Sequence, residues 1–128
     1  MKIEYIPDGS RDCPLILIHG SDVNAIISLR QACFNLANGQ TQFFAVHDLP
    51  GIEREASCKL VAYSGRRDLG VLRTARKPDS FRWELTATPW LNVEGLLEPF
   101  CIPQSEHRHQ YLDDSSGMPV IISTDRSW

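Results

Sequence analysis

The chain has 128 residues, of which 42% are hydrophobic and 23% are charged, as is usual for one globular domain. Lysine and arginine number 13 against 16 aspartate and glutamate, so the formal net charge is −3. Because nucleic-acid and anionic-membrane binders usually carry a basic patch, this balance argues against both partners. No apolar run approaches the length of a membrane-spanning helix. We therefore predict a single α+β domain over residues 1–128.

The four cysteines give no sign of a metal or redox motif. They lie at positions 13, 33, 58 and 101, and no two have the C-x-x-C spacing of a zinc ribbon or a thioredoxin-like site. Residues 1–5 include Glu4 and lack the apolar stretch of a signal peptide. We expect reduced, mostly buried thiols, a cytoplasmic location and no cofactor.

The first third of the chain predicts two strands and a helix. Residues 2–6 alternate between apolar and polar, as in a half-buried strand. Residues 15–18 are four consecutive aliphatics, which indicates a central strand covered on both faces. A helix then begins with Ser21 as its N-cap and ends at Gly39. Its predicted core stripe consists of Val23, Ile26, Ile27, Cys33 and Ala37.

Shorter strands and a second helix follow. Residues 42–47 predict a strand parallel to 15–18, if both lie in one sheet. The pattern then changes to hairpins, with strands at 58–63, 69–75 and 80–87. A second helix opens with Thr88 as N-cap and Pro89 at the first helical position.

The last part of the chain is a polar segment, 101–118, and a final strand, 119–124. Residues 107–112 within that segment fit a short strand. The predicted architecture is one mixed, mainly antiparallel sheet of six or seven strands, with two helices packed on one face. An exposed edge strand would be a natural place for a homodimer or another protein to add.

The segment 106–114 is the richest in functional chemistry. If it is extended, His107, His109, Tyr111 and Asp113 point to one side. A His-x-His pair on a strand is half of a metal site, since imidazole nitrogens suit zinc, iron and nickel. His107 and His109 are thus weak metal candidates, and a third ligand would have to come from His19 or His47.

Two other histidine-bearing stretches are candidates for ligand binding. The turn at His19 and Ser21 joins a strand to a helix N-terminus, where free amides can bind anions. A capped helix with a polar turn is the simpler interpretation of this stretch. His47 and Asp48 could form an acid–base pair at a strand end, but a surface turn is again the simpler interpretation.

The sequence supports two functional hypotheses. The leading one is a non-catalytic interaction or accessory domain of the bacterial cytoplasm that self-associates or binds another protein, because catalytic and cofactor motifs are missing. The alternative is a protein, or an enzyme, that binds a small molecule or a metal through the 105–114 loop. The two differ in whether the four histidines converge on one concave site.

Overall fold

The computed structural model describes residues 1–74 and 77–128, so the end of the strand predicted at 69–75 lies outside the described residues. The α+β class is confirmed, with two helices, α1 (Val23–Ala37) and α2 (Ala87–Leu97). The strands of the described ranges are β1 (Lys2–Ile6), β2 (Leu15–His19), β3 (Phe43–Ala45), β4 (Glu53–Arg54), β5 (Lys59–Ser64), β6 (Gly70–Arg73), β7 (Ser80–Leu85), β8 (His109–Asp113) and β9 (Val120–Ser123).

The strands form two mixed sheets, so the prediction of a single sheet of six or seven strands is wrong. One sheet has five strands in the order β4-β1-β2-β9-β8, and the other has four in the order β3-β5-β7-β6. The two strands predicted to be parallel neighbours, β2 and β3, lie in different sheets. Instead β2 pairs with β1 and with the distant β9, and β3 pairs with β5.

The predicted burial of the central strand on both faces is confirmed. All four aliphatics of β2 between Leu15 and Ile18 are fully buried. Ile16 and Ile18 face the main core, which both sheets and both helices enclose. Leu15 and Leu17 face a smaller cluster on the outer side of the sheet, against which Trp128 packs. The five-stranded sheet therefore has apolar side chains on both faces.

Both helices begin at residues other than the predicted ones. The N-cap of α1 is Asp22 rather than Ser21, because the Asp22 carboxylate accepts the Ala25 N–H at 3.1 Å. The N-cap of α2 is Thr86 rather than Thr88. Thr86 is held in place by its backbone N–H and its hydroxyl, which both donate to Asp68 at 2.8 Å.

Two buried tryptophans connect the layers. Trp83 on β7 packs edge-on against Trp90 on α2, with ring centroids 4.6 Å apart. Trp83 Nε1 donates to Asp113 at 3.1 Å, and Trp90 Nε1 donates to the Tyr63 carbonyl at 2.9 Å. Each ring thus buries a large apolar area while its N–H is satisfied.

The cysteines are free thiols, with Cys33 and Cys58 buried and Cys13 and Cys101 partly buried. In the part of the chain that the structure describes, neither helix is long and apolar enough to cross a membrane.

Candidate functional site

The outer face of the five-stranded sheet brings three of the four histidines together. His19 on β2 is in register with Ser123 on β9, and Ser123 is in register with His109 on β8. Residues in register on neighbouring strands share a face. His19 and His109 therefore lie in one row, two strands or about 10 Å apart. His107 adjoins His109, and we call this set the histidine face.

One half of the histidine face is an ion-pair network around Glu4. The buried Glu4 carboxylate lies 2.7 Å from His19 Nε2 and accepts a hydrogen bond from Arg126 Nη2 at 2.8 Å. The Arg126 hydrogen bond, with a smaller contribution from His19, lowers the pKa of Glu4 despite its burial. Glu4 is thus held ionised and is not suited to act as a general acid.

The other half is a chain of hydrogen bonds that ends at an exposed imidazole. His107 Nδ1 lies 3.1 Å from both Asp125 oxygens, and its Nε2 lies 2.9 Å from His109 Nδ1. The Ser127 hydroxyl donates to Asp125 at 2.5 Å, and this bond is the main reason that the pKa of Asp125 is lowered. Asp125 therefore fixes the orientation of His107, which in turn orients His109.

The predicted common side of segment 107–113 is correct up to Tyr111 and wrong at Asp113. Tyr111 is in register with Ile121 on the outer side, with its ring 6.5 Å from that of His109. A β-bulge between Tyr111 and Asp113 then shifts the register by one residue. As a result the Asp113 carboxylate accepts the Trp83 N–H instead of joining the histidines.

His47 and Ser21 lie away from the histidine face. His47 is in a 3₁₀ turn after β3, where its Nδ1 accepts the Leu60 N–H of the four-stranded sheet at 3.0 Å. Its Nε2 is 3.7 Å from Asp48, too far for a short hydrogen bond. Ser21 is exposed in the turn before α1. The four histidines therefore do not share one site.

The described residues do not assemble a metal centre. Within residues 1–74 and 77–128, no group of three His, Cys, Asp or Glu side chains could hold a metal ion. His107 and His109 contact each other through ring nitrogens 2.9 Å apart instead of converging on a shared point. Three partners on this face, Glu4, Asp125 and Arg126, were not among the sequence candidates. The polar character of residues 124–127 was a signal for Asp125 and Arg126, and the alternation of residues 2–6 gave none for a buried Glu4.

The surface of the two helices carries a second feature that the sequence pattern did not predict. Ile27, Phe34 and Leu91 are 48%, 41% and 50% exposed. They border two depressions of about 460 and 250 Å³, which share Phe34 as a common wall. We call this surface the α1–α2 groove. Ile27 was assigned to the core stripe, but it lies at the edge of that stripe and faces outward.

Comparison with known proteins adds no identification. The chain matches no protein-family model, no curated protein and no solved structure. Its function is therefore inferred from the geometry of the described residues.

Proposed function

We propose that this chain is a non-catalytic interaction domain that forms a homodimer through the α1–α2 groove, in the bacterial cytoplasm predicted from the sequence. The observation that carries the proposal is the grouping of Ile27, Phe34 and Leu91 around two adjoining depressions. Single exposed apolar residues need no explanation, but a contiguous group with a polar rim is typical of an interaction surface.

The polar residues of the groove also fit a protein interface. Arg30 Nε donates to Glu94 at 2.7 Å, and both residues line the larger depression. Arginine is enriched in interfaces because its planar guanidinium stacks and donates several hydrogen bonds at once. A partner that covers the groove would enclose a charge that is already paired, which lowers the cost of its desolvation.

A second copy of the chain is the occupant that best fits this surface. Phe34 is 41% exposed and lines both depressions, so the same patch offers an apolar side chain and two concave surfaces that could receive the Phe34 side chain of another copy. Such self-complementarity is what a two-fold contact requires. Arg30 and the exposed Glu98, 3.6 Å apart, place both charge signs at the rim, and a two-fold axis can pair them across the interface.

Strand addition at the edge of the five-stranded sheet has less support. The outer strand β8 carries a β-bulge between Tyr111 and Asp113, and bulges protect sheet edges from pairing with another chain. Deletion of residues 110–128 would not test this route, because β9 lies inside the sheet between β2 and β8.

The dimer is tested by Phe34→Glu, with sedimentation or light scattering after gel filtration as the readout. We expect a dimeric wild type and a monomeric variant, since a carboxylate in the apolar contact would lose its hydration when the second copy covers it. Leu72→Glu is the matched control, because Leu72 is similarly exposed, at 47% against 41% for Phe34, but lies on β6 of the four-stranded sheet. Circular dichroism is used to check that both variants are folded.

A monomeric wild type at high concentration would contradict the proposal. Dissociation of the Leu72→Glu variant would also contradict it, because the effect would then not depend on the groove.

A second candidate function is ligand binding at the histidine face, favoured by the hydrogen-bonded chain from Asp125 through His107 to His109. An imidazole oriented in this way can exchange a proton with a bound molecule. The test is a thermal-shift panel of divalent metals and common metabolites. A bound compound should raise the melting temperature by several degrees, and the His107→Ala/His109→Ala variant should abolish that shift. A panel without any shift would contradict this function.

A further inference from the structure

A separate depression of about 310 Å³ lies on the outer face of the four-stranded sheet. It is independent of the α1–α2 groove and of the histidine face. Its polar lining consists of the His47 imidazole, three cations and three hydroxyls, the last two groups contributed by Lys59, Lys77, Arg82, Tyr63, Thr74 and Ser80. A concave surface with several convergent polar groups is the usual form of a small-molecule site. We call it the basic pocket.

The charge of the basic pocket favours an anion. No acidic side chain lines it within residues 1–74 and 77–128. Glu84 reaches Arg82 from outside the lining at 2.9 Å and offsets that charge. Lys59 and Lys77 form no salt bridge with the described residues. Two ammonium groups beside hydroxyl donors are the groups that bind a phosphate.

The same pocket has a flat surface on which a ring can stack. The Arg82 guanidinium carbon lies 3.8 Å from the centroid of the Tyr63 ring, so the two planar groups are in contact. Phe43 extends this surface, with its ring centroid 5.8 Å from that of Tyr63. Half of the Arg82 side chain is exposed. Guanidinium and aromatic planes are the supports on which proteins stack nucleobases.

We propose that the basic pocket binds a nucleoside monophosphate. The base stacks on the Arg82 guanidinium, which itself rests on the Tyr63 ring, and the phosphate lies between Lys59 and Lys77, within reach of the Ser80 hydroxyl. The volume is near the lower limit for small-molecule sites and suits one nucleotide unit. A free nucleotide fits this chain better than a nucleic acid, because the net charge of −3 opposes the approach of a long polyanion.

The test is a titration of the full chain with AMP, followed by chemical-shift changes of the backbone amides. We expect the largest chemical-shift changes in β5 and β7. Adenosine and inorganic phosphate, which each retain only one part of AMP, should bind more weakly than AMP does. Lys59→Glu should weaken AMP binding at least tenfold. Arg54→Glu is the control, because it makes the same change of charge on the exposed strand β4. It should change the affinity for AMP by no more than about twofold.

A second variant separates stacking from charge. Arg82→Lys keeps the positive charge but loses the planar group, so AMP should bind it no more tightly than ribose 5-phosphate does. The proposal is overturned if AMP produces no shifts, if they map outside β5 and β7, or if Arg54→Glu weakens binding as much as Lys59→Glu. A single-stranded RNA pentanucleotide that binds tenfold more tightly than AMP would overturn the assignment to a free nucleotide.

Discussion

Replacement of Glu4 by glutamine tests the buried network of the histidine face. The Glu4→Gln side chain keeps its shape but loses its charge and one of the two oxygens that face Arg126 and His19. Hydrogen bonds to charged groups contribute about 1.5–3 kcal/mol each, and the exposure of Arg126 reduces its share. We expect the free energy of unfolding to fall by about 2 kcal/mol at neutral pH.

The size of this loss should depend on pH. The pKa of Glu4 in the folded chain lies below its ordinary value of 4.5, first because of Arg126 and then because of His19. An unfolded chain restores the ordinary value, so ionised Glu4 stabilises the fold above about pH 4.5. That contribution is lost as the pH falls through the folded pKa. The difference between wild type and Glu4→Gln should therefore shrink in acid.

Urea unfolding followed by tryptophan fluorescence measures both effects. With a slope of about 1.5 kcal/mol per molar urea, the midpoint should fall by about 1.3 M at neutral pH. Glu55→Gln is the matched control, because it removes an exposed pair with Lys2 of the same 2.8 Å length and should change stability little. Equal losses in the two variants, or a difference that does not change with pH, would refute the role assigned to Glu4.

Three further predictions concern burial. Trp83→Phe deletes the N–H that binds Asp113 and should lower the free energy of unfolding by about 2 kcal/mol in the same urea assay. Burial raises the pKa of the Cys33 thiol, and that of Cys58 to about 12, so mass spectrometry should find neither alkylated by iodoacetamide until urea unfolds the chain. Trp128→Ala uncovers the smaller apolar cluster and should lower the melting temperature in calorimetry by several degrees without changing the oligomeric state.

Local patterns predicted most of the elements, because each depends on neighbouring residues, but they missed β4, and the strand predicted at 42–47 ends at Ala45, where a 3₁₀ turn begins. The alternation of residues 2–6 has the same bounds as β1, and the four aliphatics at 15–18 are buried on both faces as expected. Sheet partners were not predictable in this way. Ile16 pairs with Val120, more than a hundred residues away, and a hydrophobic pattern shows that a residue is buried but not which strand covers it.

In the candidate site, too, the residue types were predictable from the sequence but their spatial arrangement was not. Histidines 19, 107 and 109 could be selected by chemistry, but their common face depends on the shared pairing of His19 and His109 with Ser123. Asp113 could not be placed by alternation, because a single extra residue in β8 reverses the side on which the next residue lies. Whether Ile27 is exposed depends on where α2 packs against α1. The helical periodicity of the α1 sequence gives no information about that position.

The pairing of β2 with β9 has a consequence for the way the chain folds during synthesis. β1 and β2 can form a hairpin early, but the second edge of β2 has no partner until residues 120–123 are present. Until then a run of four uncharged aliphatics offers its free backbone groups to other chains, as aggregation-prone segments do. Contacts over such sequence distances also form slowly. The yield of soluble protein should therefore depend on how fast the last strand arrives, and on chaperones that shield β2 meanwhile, more than on the stability of the finished sheet.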